Sequence, residues 1–227
     1  MLIDRIVAPY FATNCWIVAT GVGQECIVVD PGIAVPDLVP RIKEITARHN
    51  LKPVAILITH GHVDHTYSVL PLARDASVMT AFIHREDRVL LSDPARGLGV
   101  QGLALLQELA PEKKWSEPDR IEEVSDQEVI DLAGMSIEII HAPGHTRGSV
   151  MYRVDGQYLL SGDVLFKGAI GRTDLPTSSP RAMRISLTEK VLPLPDEIHV
   201  LPGHGDETSI GAEKRSNPFL LELLPNR

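Results

Sequence analysis

The sequence predicts an α/β fold in which two β-sheets pack face to face and carry helices on their outer sides. One observation is that strand-like apolar runs followed by a helical pattern occur twice along the chain, in the same order. Another is the length of 227 residues with 44% hydrophobic and 23% charged residues, which is ordinary for one globular domain. We therefore expect residues 1–227 to form a single domain. The periodicity alone leaves the number of layers open.

Strand and helix signals alternate through the first part of the chain. Apolar runs at residues 15–20 and 26–29 flank a glycine-containing turn, which predicts a β-hairpin. A segment opened by Pro36 has apolar residues at helical spacing and predicts a helix that ends near Asn50. The short apolar run at residues 54–58 is typical of a buried strand.

A polar segment at residues 92–127 interrupts this alternation and is rich in proline and glycine. We expect one helix inside it, at residues 103–109, and interpret the whole segment as an excursion over the surface, or a lid. The alternation then resumes with strands at 129–130 and 136–140, a hairpin at 149–161, a helix at 181–191, a strand at 198–201 and a mostly helical tail from Ile210.

Composition excludes several classes of partner. The formal net charge is −8, and an acidic chain repels phosphate backbones, so we expect no nucleic-acid partner. No apolar run approaches the roughly 20 residues of a membrane helix, so we expect no membrane partner. The N-terminus has charges inside its apolar run and does not resemble a signal peptide. Cys15 and Cys26 form no disulfide framework, which favours a reducing, cytoplasmic location.

The most informative segment is Thr-His-Gly-His-Val-Asp-His at residues 59–65, directly after the predicted strand at 54–58. His60 and His62 are two residues apart, so in extended backbone their side chains point the same way. Asp64 and His65 follow where a helix is expected to begin and can serve a second ion. Because imidazole and carboxylate groups are preferred ligands of borderline divalent metals, this segment predicts a metal site.

Three further candidate ligands each follow a predicted strand and are preceded by a glycine: His145, Asp163 and His204. Strand ends at one edge of a sheet converge, so these side chains can share one site with residues 59–65. Any one of them alone would be more typical of a turn residue. The combination of all four segments favours metal binding.

Three other residues have competing interpretations. Asp30 also follows a strand, and is either a turn carboxylate before Pro31 or a partner that orients a metal ligand. His141 lies four residues before His145 and is the less favoured ligand of the two. His199 lies inside an apolar strand, and we expect it to be a buried core residue.

These segments together resemble the metallo-β-lactamase superfamily. The THxHxDH pattern at residues 59–65 is the signature of that superfamily, and the later ligand segments occur in its order. Within it, the short glyoxalase II-like hydrolases are similar at Asn14-Cys15-Trp16 and at residues 141–149, 162–166 and 171–174. The resemblance spans roughly residues 14–220 and implies an αββα four-layer sandwich with its site at one edge of the two sheets.

The resemblance also implies a dinuclear metal site. One ion would be held by His60, His62 and His145, the other by Asp64, His65 and His204, and Asp163 would bridge them. Two divalent ions are implied, zinc first, with iron or manganese as alternatives. Asp64 would also hold the attacking hydroxide in line. Arg172 would bind a carboxylate of the substrate, and the alternative interpretation of Arg172 is a surface salt bridge.

The implied activity is hydrolysis of a small-molecule acyl thioester to an acid and a free thiol, by a hydroxide that bridges the two metals. The alternatives are a persulfide dioxygenase with one iron, a lactonase, and a metal-binding module without turnover. Asp163 argues against β-lactamase activity, because true β-lactamases of this superfamily typically have another ligand there. Longer glyoxalase II enzymes have a C-terminal helical domain that helps to hold glutathione, and we do not expect that domain beyond Phe219-Leu220. The identity of the thiol carrier therefore stays open.

Overall fold

The computed structural model describes residues 1–75 and 79–224, with only the backbone of Gln101. The first of its two sheets has six strands in sequence order: β1 (Leu2–Val7), β2 (Asn14–Ala19), β3 (Glu25–Val29), β4 (Lys52–Leu57), β5 (Thr80–His84) and β6 (Ile121–Val124). Strands β1 to β3 pair antiparallel, and β3 to β6 pair parallel. The predicted hairpin at residues 15–29 is therefore confirmed as β2 and β3.

The second sheet also has six strands and is mostly antiparallel. Its order from one edge to the other is β7 (Val129–Leu132), β8 (Met135–His141), β9 (Val150–Val154), β10 (Tyr158–Gly162), β11 (His199–Pro202) and β12 (Thr208–Ser209). Only the central pair β10 and β11 is parallel among these described strands. Strands β8, β10 and β11 therefore run in one direction and end at one edge of the sheet.

Helices cover the outer face of each sheet and one end of the sandwich. They are α1 (Val39–Arg48), α2 (Val63–Thr66), α3 (Val69–Asp75), α4 (Arg85–Arg88), α5 (Val100–Leu109), α6 (Pro180–Ser186), α7 (Ile210–Ser216) and α8 (Pro218–Leu221). The side chains of Ser179 and Ser209 accept hydrogen bonds from backbone amides and cap α6 and α7. No helix in the described part of the chain is long and apolar enough to cross a membrane.

Three apolar layers hold these elements together. The layer between α1, α3 and the first sheet includes Ile17, Val28 and Ile42. The layer between the two sheets includes Trp16 and Val18 of β2 with residues of β8, β9 and β10. The layer between the second sheet and α6, α7 and α8 is centred on β9, β10 and β11. The predicted αββα sandwich is thus confirmed. One apolar layer lies between the two sheets, and each of the other two lies between a sheet and the helices that cover it.

The burial of strand β2 explains why residues 15–20 form a continuous apolar run. Alternate side chains of a strand point to opposite faces, and in β2 Cys15 and Ile17 pack under the helices while Trp16 and Val18 pack between the sheets. All six residues of β2 are buried. A strand buried on both faces needs apolar residues at every position rather than at every second one.

Two features differ from the sequence-based expectations. The segment at residues 92–127 contains β6, a four-residue edge strand that has exposed glutamates at Glu122 and Glu123 and therefore no apolar run. The expectation that His199 is a core residue is wrong, because its side chain is exposed and stacks on Tyr158 with ring centroids 5.8 Å apart. His199 begins β11, so it lies at the end of the sheet rather than inside the apolar layer.

The edges of the two sheets are joined where the carboxyl ends of the strands meet. Tyr152 of β9 donates a hydrogen bond through its hydroxyl to the carbonyl of Ile58 at 3.0 Å. Trp16 of β2 donates through its indole N–H to the carbonyl of Pro202 at 3.0 Å. The loops that follow β3, β4, β8, β10 and β11 are thereby fixed at one end of the sandwich, and these loops carry the predicted ligands.

Candidate metal centre

The loop after β4 presents the first group of side chains. The carboxylate of Asp30 accepts hydrogen bonds from the amide of Thr59 at 2.8 Å and from its hydroxyl at 2.6 Å, which fixes the start of the loop. His62 has extended backbone and precedes the first turn of α2. The turn into α2 then places Asp64 and His65 beside the two preceding histidines, as the sequence spacing predicted.

All seven predicted ligands lie within one cluster at the edge of the two sheets. Their ligand atoms fall into groups within 4.8 Å of one another: His60, His62 and His145; His60, His65 and Asp163; and Asp64, His65 and His204. His62 Nδ1 is 2.8 Å from His145 Nε2, and His65 Nε2 is 3.2 Å from His204 Nε2. A tetrahedral metal with bonds of about 2.1 Å has ligands about 3.4 Å apart, so these separations suit metal coordination.

Asp163 lies between the two outer groups. Its Oδ1 is 3.3 Å from His65 Nε2, while its Oδ2 is 3.4 Å from His145 Nε2 and 3.5 Å from His204 Nε2. The backbone around it is closely packed, because a Cβ atom at Gly203 would collide with the Asp163 carboxylate. One carboxylate therefore faces nitrogen atoms of both groups.

Several buried atoms of the cluster have no hydrogen-bond partner among the described residues. They are His60 Nε2, His62 Nε2 and Asp163 Oδ1. His60 Nδ1 is engaged by the hydroxyl of Thr59 at 3.1 Å, so Nε2 is the nitrogen left over. His62 faces the other candidate ligands through Nδ1, so its Nε2 points away from them, towards Gly97. Because buried polar atoms are nearly always hydrogen-bonded, the unpartnered His60 Nε2 and Asp163 Oδ1 inside this cluster fit a bound divalent cation.

Backbone and carboxylate acceptors behind the cluster fix the tautomers of three histidines. In each case Nδ1 donates to an oxygen outside the cluster: His65 to Asp30 Oδ2 at 2.9 Å, His145 to the carbonyl of Arg172 at 2.8 Å, and His204 to the carbonyl of Phe11 at 3.1 Å. Since these oxygens can only accept, Nδ1 carries the proton and the Nε2 lone pair faces the cluster. Asp30 thus has the orienting position that the sequence left as one of two alternatives.

The electrostatics of the cluster favour a cation. Burial, together with the neighbouring histidines, lowers the pKa of His60 well below its usual value and lowers the pKa of His62 to about 3. Burial also opposes the charged form of His65, but the carboxylates of Asp163, Asp64 and Asp30 outweigh it and raise the pKa of His65 to about 10. The carboxylates therefore concentrate negative charge around His65, where a bound metal ion can take the place of a proton.

A cavity of about 730 Å³ opens in front of the cluster. Its lining includes the ligands His62, Asp64, His145, Asp163 and His204 and, around them, Phe11, Val63, Leu98, Gly99, Val100, Gly102, Leu105, Phe166, Gly171, Arg172 and Leu175. Cavities of this size hold small organic ligands. The predicted ligands therefore border a space that a substrate can enter.

Residues 92–120, which we call the lid segment, form one wall of that cavity. Leu106 of α5 packs with Val63 and Tyr67, next to the ligand-bearing turn of α2. Lys113 Nζ donates to the carbonyl of Tyr67 at 2.8 Å and lies 3.2 Å from the centroid of its ring. Trp115 packs on the same group, with its ring centroid 5.0 Å from Lys113 Nζ. The lid segment is thus tied to α2 at its far end.

Arg172 lines the cavity, but its guanidinium already has a partner. Nε and Nη2 of Arg172 donate to Oδ1 and Oδ2 of Asp174 at 2.7 and 2.8 Å. This pairing raises the pKa of Arg172 and lowers the pKa of Asp174. A substrate carboxylate at Arg172 has to replace Asp174.

His141 lies outside the cluster. Its ring stacks on His84 with centroids 4.1 Å apart, and its Nε2 donates to the carbonyl of Arg147 at 2.9 Å. The structure therefore separates the two histidines of residues 141–149, since only His145 reaches the other ligands.

Sequence analysis missed a fully buried carboxylate behind the cluster, Asp87 of α4. It accepts hydrogen bonds from the amide of Gly61 at 2.8 Å, the hydroxyl of Thr146 at 2.6 Å and the amide of Gly148 at 2.8 Å. Asp87 therefore links the loop of His60 and His62 to the loop of His145. Its position just after β5 was a usable signal, but the surrounding run of charged residues is typical of an exposed helix.

Comparisons with known proteins agree with this site. The sequence profile of the metallo-beta-lactamase superfamily matches residues 8–204. An uncharacterized protein of Mycobacterium tuberculosis (strain ATCC 25618 / H37Rv) is 41% identical over 227 residues, which cover 97% of this chain and 98% of that protein. A Haemophilus influenzae protein named hydroxyacylglutathione hydrolase GloC is 34% identical over 221 residues, which cover 97% of this chain and 98% of that protein.

Solved structures show the same relationship. The crystal structure of the BLEG-1 B3 metallo-beta-lactamase has a TM-score of 0.82 at 31% identity and covers 96% of this chain and 99% of that one. The crystal structure of TTHA1623 in a di-iron-bound form has a TM-score of 0.76 at 30% identity and covers 96% of this chain and 100% of that one. The profile match, the αββα architecture and the order of the ligand segments agree, and the chain belongs to the metallo-β-lactamase superfamily.

Proposed function

We propose that this protein is a dinuclear metal hydrolase that cleaves acyl thioesters to an acid and a free thiol, as glyoxalase II does. Its superfamily supports a metal-dependent hydrolase. The observation that carries the finer proposal is Asp163, whose two oxygens lie 3.3 and 3.4 Å from nitrogens of His65 and His145. A carboxylate placed between two complete ligand groups favours two ions over one.

The ligands divide as the sequence resemblance implied. His60, His62 and His145 would hold one ion, Asp64, His65 and His204 the other, and Asp163 would contact both. Zinc is the first expectation, with iron or manganese as alternatives. Two such ions, when bound, supply a hydroxide nucleophile near neutral pH and a Lewis acid for the substrate carbonyl.

The chain's own residues position the reactants. The hydroxyl of Thr13 donates to Asp64 Oδ2 at 3.2 Å, which orients a carboxylate that also borders the cavity and can hold a nucleophile in line. Arg172 would bind a carboxylate of the thiol carrier in place of Asp174. A departing thiolate needs no general acid from the chain, because thiols have pKa values of about 8.5.

The choice of thioester as substrate is supported by the 34% identity to the protein named hydroxyacylglutathione hydrolase GloC. The 31% identity to a protein named B3 metallo-beta-lactamase makes β-lactam hydrolysis a second candidate. Persulfide oxidation, lactone hydrolysis and metal binding without turnover are the alternatives that the sequence leaves open. All four reactions have distinct products, so one sample can be tested for each.

The test begins with protein freed of metal by a chelator and reloaded separately with zinc, iron and manganese. Each form is assayed for thiol release from an acyl thioester, oxygen uptake with a persulfide, and hydrolysis of a β-lactam and of a lactone. We expect thiol release to be the fastest reaction and to be lost in the chelated protein. Oxygen uptake with iron alone and no thiol release would instead establish the dioxygenase, and a preference for the β-lactam or the lactone would overturn the proposal equally.

A further inference from the structure

We propose that the apolar side of the cavity binds the acyl chain of the thioester, so that the preferred substrates carry a neutral acyl group of several carbons. This inference rests on the proposed function and extends it to a substrate class. The surface concerned, which we call the acyl wall, consists of Leu98, Val100, Leu105 and Leu175.

The cavity lining is apolar outside the candidate metal ligands. Apart from the candidate metal ligands and Arg172, every described residue that lines the cavity is apolar or glycine. No lining serine, threonine, asparagine or lysine is present in the described part of the chain to bind hydroxyl or amide groups of a polar acyl group. Binding sites for polar ligands contain a few placed polar groups that fix orientation. In this cavity, the candidate metal ligands and Arg172 are the polar groups among the described lining residues that can fix the orientation of a substrate.

The side chains that line the cavity offer no unpaired positive charge in the described part of the chain. The side chains of Arg172 and Asp174 satisfy each other through two hydrogen bonds, so the pair contributes no net charge to the rim. Asp64 and Asp163 are candidate metal ligands, so the bound ions would take up their charge. Away from those ions, a substrate with several carboxylates or phosphates on its acyl part would find no unpaired cation among the described lining residues. A neutral acyl chain meets no such penalty.

Apolar side chains at the cavity are left in contact with water. Val100, the first residue of α5, is 85% exposed, and Phe11 on the other side of the opening is 50% exposed. Covering apolar surface is favourable, and each buried methylene adds roughly 0.8 kcal/mol, or about a fourfold gain in affinity. A cavity of about 730 Å³ has room for a chain of several carbons beside a thioester group.

The acyl wall is also held in place by the rest of the lid segment. Leu105 faces the cavity, whereas its neighbour Leu106 packs with Val63 and Tyr67 on α2. Leu98 lies over Gly102, since a Cβ there would come within 3.1 Å of Leu98 Cδ2. Val100 and Leu105 thus belong to a packed helix, Leu98 lies just before that helix, and Leu175 comes from the turn that follows Arg172. The part of the wall on the lid segment is therefore fixed by packing, which favours a defined chain length.

The experiment uses the metal-loaded protein and a series of acetyl, butyryl, hexanoyl and octanoyl thioesters of one small neutral thiol. We expect kcat/KM to rise by about fourfold per methylene and then to level off, mainly through KM. The acyl chain is then held at acetyl while the thiol is lengthened, and here we expect little change. A rise with the thiol chain and none with the acyl chain would overturn the assignment.

Variants distinguish the loss of contacts between the acyl wall and the acyl chain from a general disturbance of the lid segment. Leu105→Ser and Val100→Ser should each flatten the dependence of kcat/KM on acyl length, and the metal content of both variants should equal that of the unmodified protein. Val100 is exposed, so its substitution does not threaten folding. Val129→Ser serves as the matched control, because Val129 is an exposed valine on β7, outside the cavity lining. An unchanged length dependence in both lid variants would contradict the inference.

A binding measurement keeps this inference separate from the proposed reaction. Calorimetry with uncleavable S-alkyl thioethers of the same lengths reports affinity without hydrolysis, and we expect affinity to rise with alkyl length. Flat affinities overturn the acyl wall even if thioesters are cleaved. Rising affinities with no thiol release from any thioester overturn the proposed function instead and leave the wall as an apolar binding surface.

Discussion

The carboxylate of Asp87 accepts a hydrogen bond of 2.8 Å from the amide of Gly61, the residue between His60 and His62. The same carboxylate accepts a hydrogen bond from Thr146, the residue after His145. Two separate loops that carry the three proposed ligands of the first ion are therefore fixed by one buried side chain. Partners of this kind orient the ligand residues and influence metal affinity.

Replacing Asp87 with alanine should weaken the first ion more than the second. The change leaves buried donors at Gly61 and Gly148 unsatisfied, and each costs roughly 1–3 kcal/mol, so the melting temperature should fall as well. Metal affinities measured by competition with a chelator should show one weakened and one nearly unchanged ion. Glu86→Ala is the neighbouring control, since Glu86 is exposed. Equal weakening of both ions would show that Asp87 acts only on overall stability.

Replacing Asp163 with alanine should weaken both ions. Asp163 is the carboxylate that lies within 3.5 Å of histidine nitrogens from both ligand groups. Metal content after dialysis is the measurement, compared with the unmodified protein at equal concentration. Retention of two tightly bound ions in the variant would exclude the bridging position, and loss of one alone would assign Asp163 to a single ion.

His145 and His141 form a matched pair for testing the ligand assignment. His145 Nε2 lies 2.8 Å from His62 Nδ1, whereas His141 stacks on His84 away from the cluster. His145→Ala should therefore lose most of the first metal ion, whereas His141→Ala should retain that ion. Elemental analysis of both purified variants gives the comparison, and similar losses in the two would mean that the wrong histidine is assigned.

The tie between the lid segment and α2 should affect substrate binding rather than metal binding. Lys113→Met removes the hydrogen bond to the carbonyl of Tyr67 and the contact of the ammonium with its ring. We expect a higher KM and an altered acyl-length preference with unchanged metal content. Lys114→Met is the control, because Lys114 is exposed beside it. Metal loss with an unchanged substrate range would reverse this interpretation of residues 92–120.

Arg172 should act on substrates that carry a carboxylate on the thiol carrier. Arg172→Ala should raise KM for such a substrate by roughly tenfold with little change in kcat, a modest effect because the guanidinium is exposed. Asp174→Asn should have the opposite effect, since it removes the competing carboxylate. The carbonyl that accepts from His145 belongs to the backbone and remains in Arg172→Ala. Equal weakening of charged and uncharged thioesters would make the side chain structural.

The candidate metal cluster was predictable because each of its ligands can be recognised from a short segment of the sequence. The spacing of His60, His62, Asp64 and His65 follows directly from strand and helix geometry, and His145, Asp163 and His204 each lie at a strand end. The two hairpins were predictable for the same reason, since each joins neighbouring apolar runs.

Other features depend on contacts between distant parts of the chain and could not be predicted. Asp87 lies in a short charged helix, and only the packed fold shows that its carboxylate faces two loops. Strand β6 has two exposed glutamates and is a strand because β5 offers it a free edge. His199 has apolar neighbours in sequence but lies where β11 begins, so its side chain reaches solvent.

Under the proposed function, thioester hydrolysis depends on two ions held by one shared carboxylate, Asp163. The most direct measurement is a titration of the metal-free protein with zinc, in which thiol release is recorded against the number of equivalents added per chain. We expect activity to rise until two equivalents are bound and then to remain constant. Full activity at one equivalent, or no thiol release at any ratio of metal to protein, would contradict it.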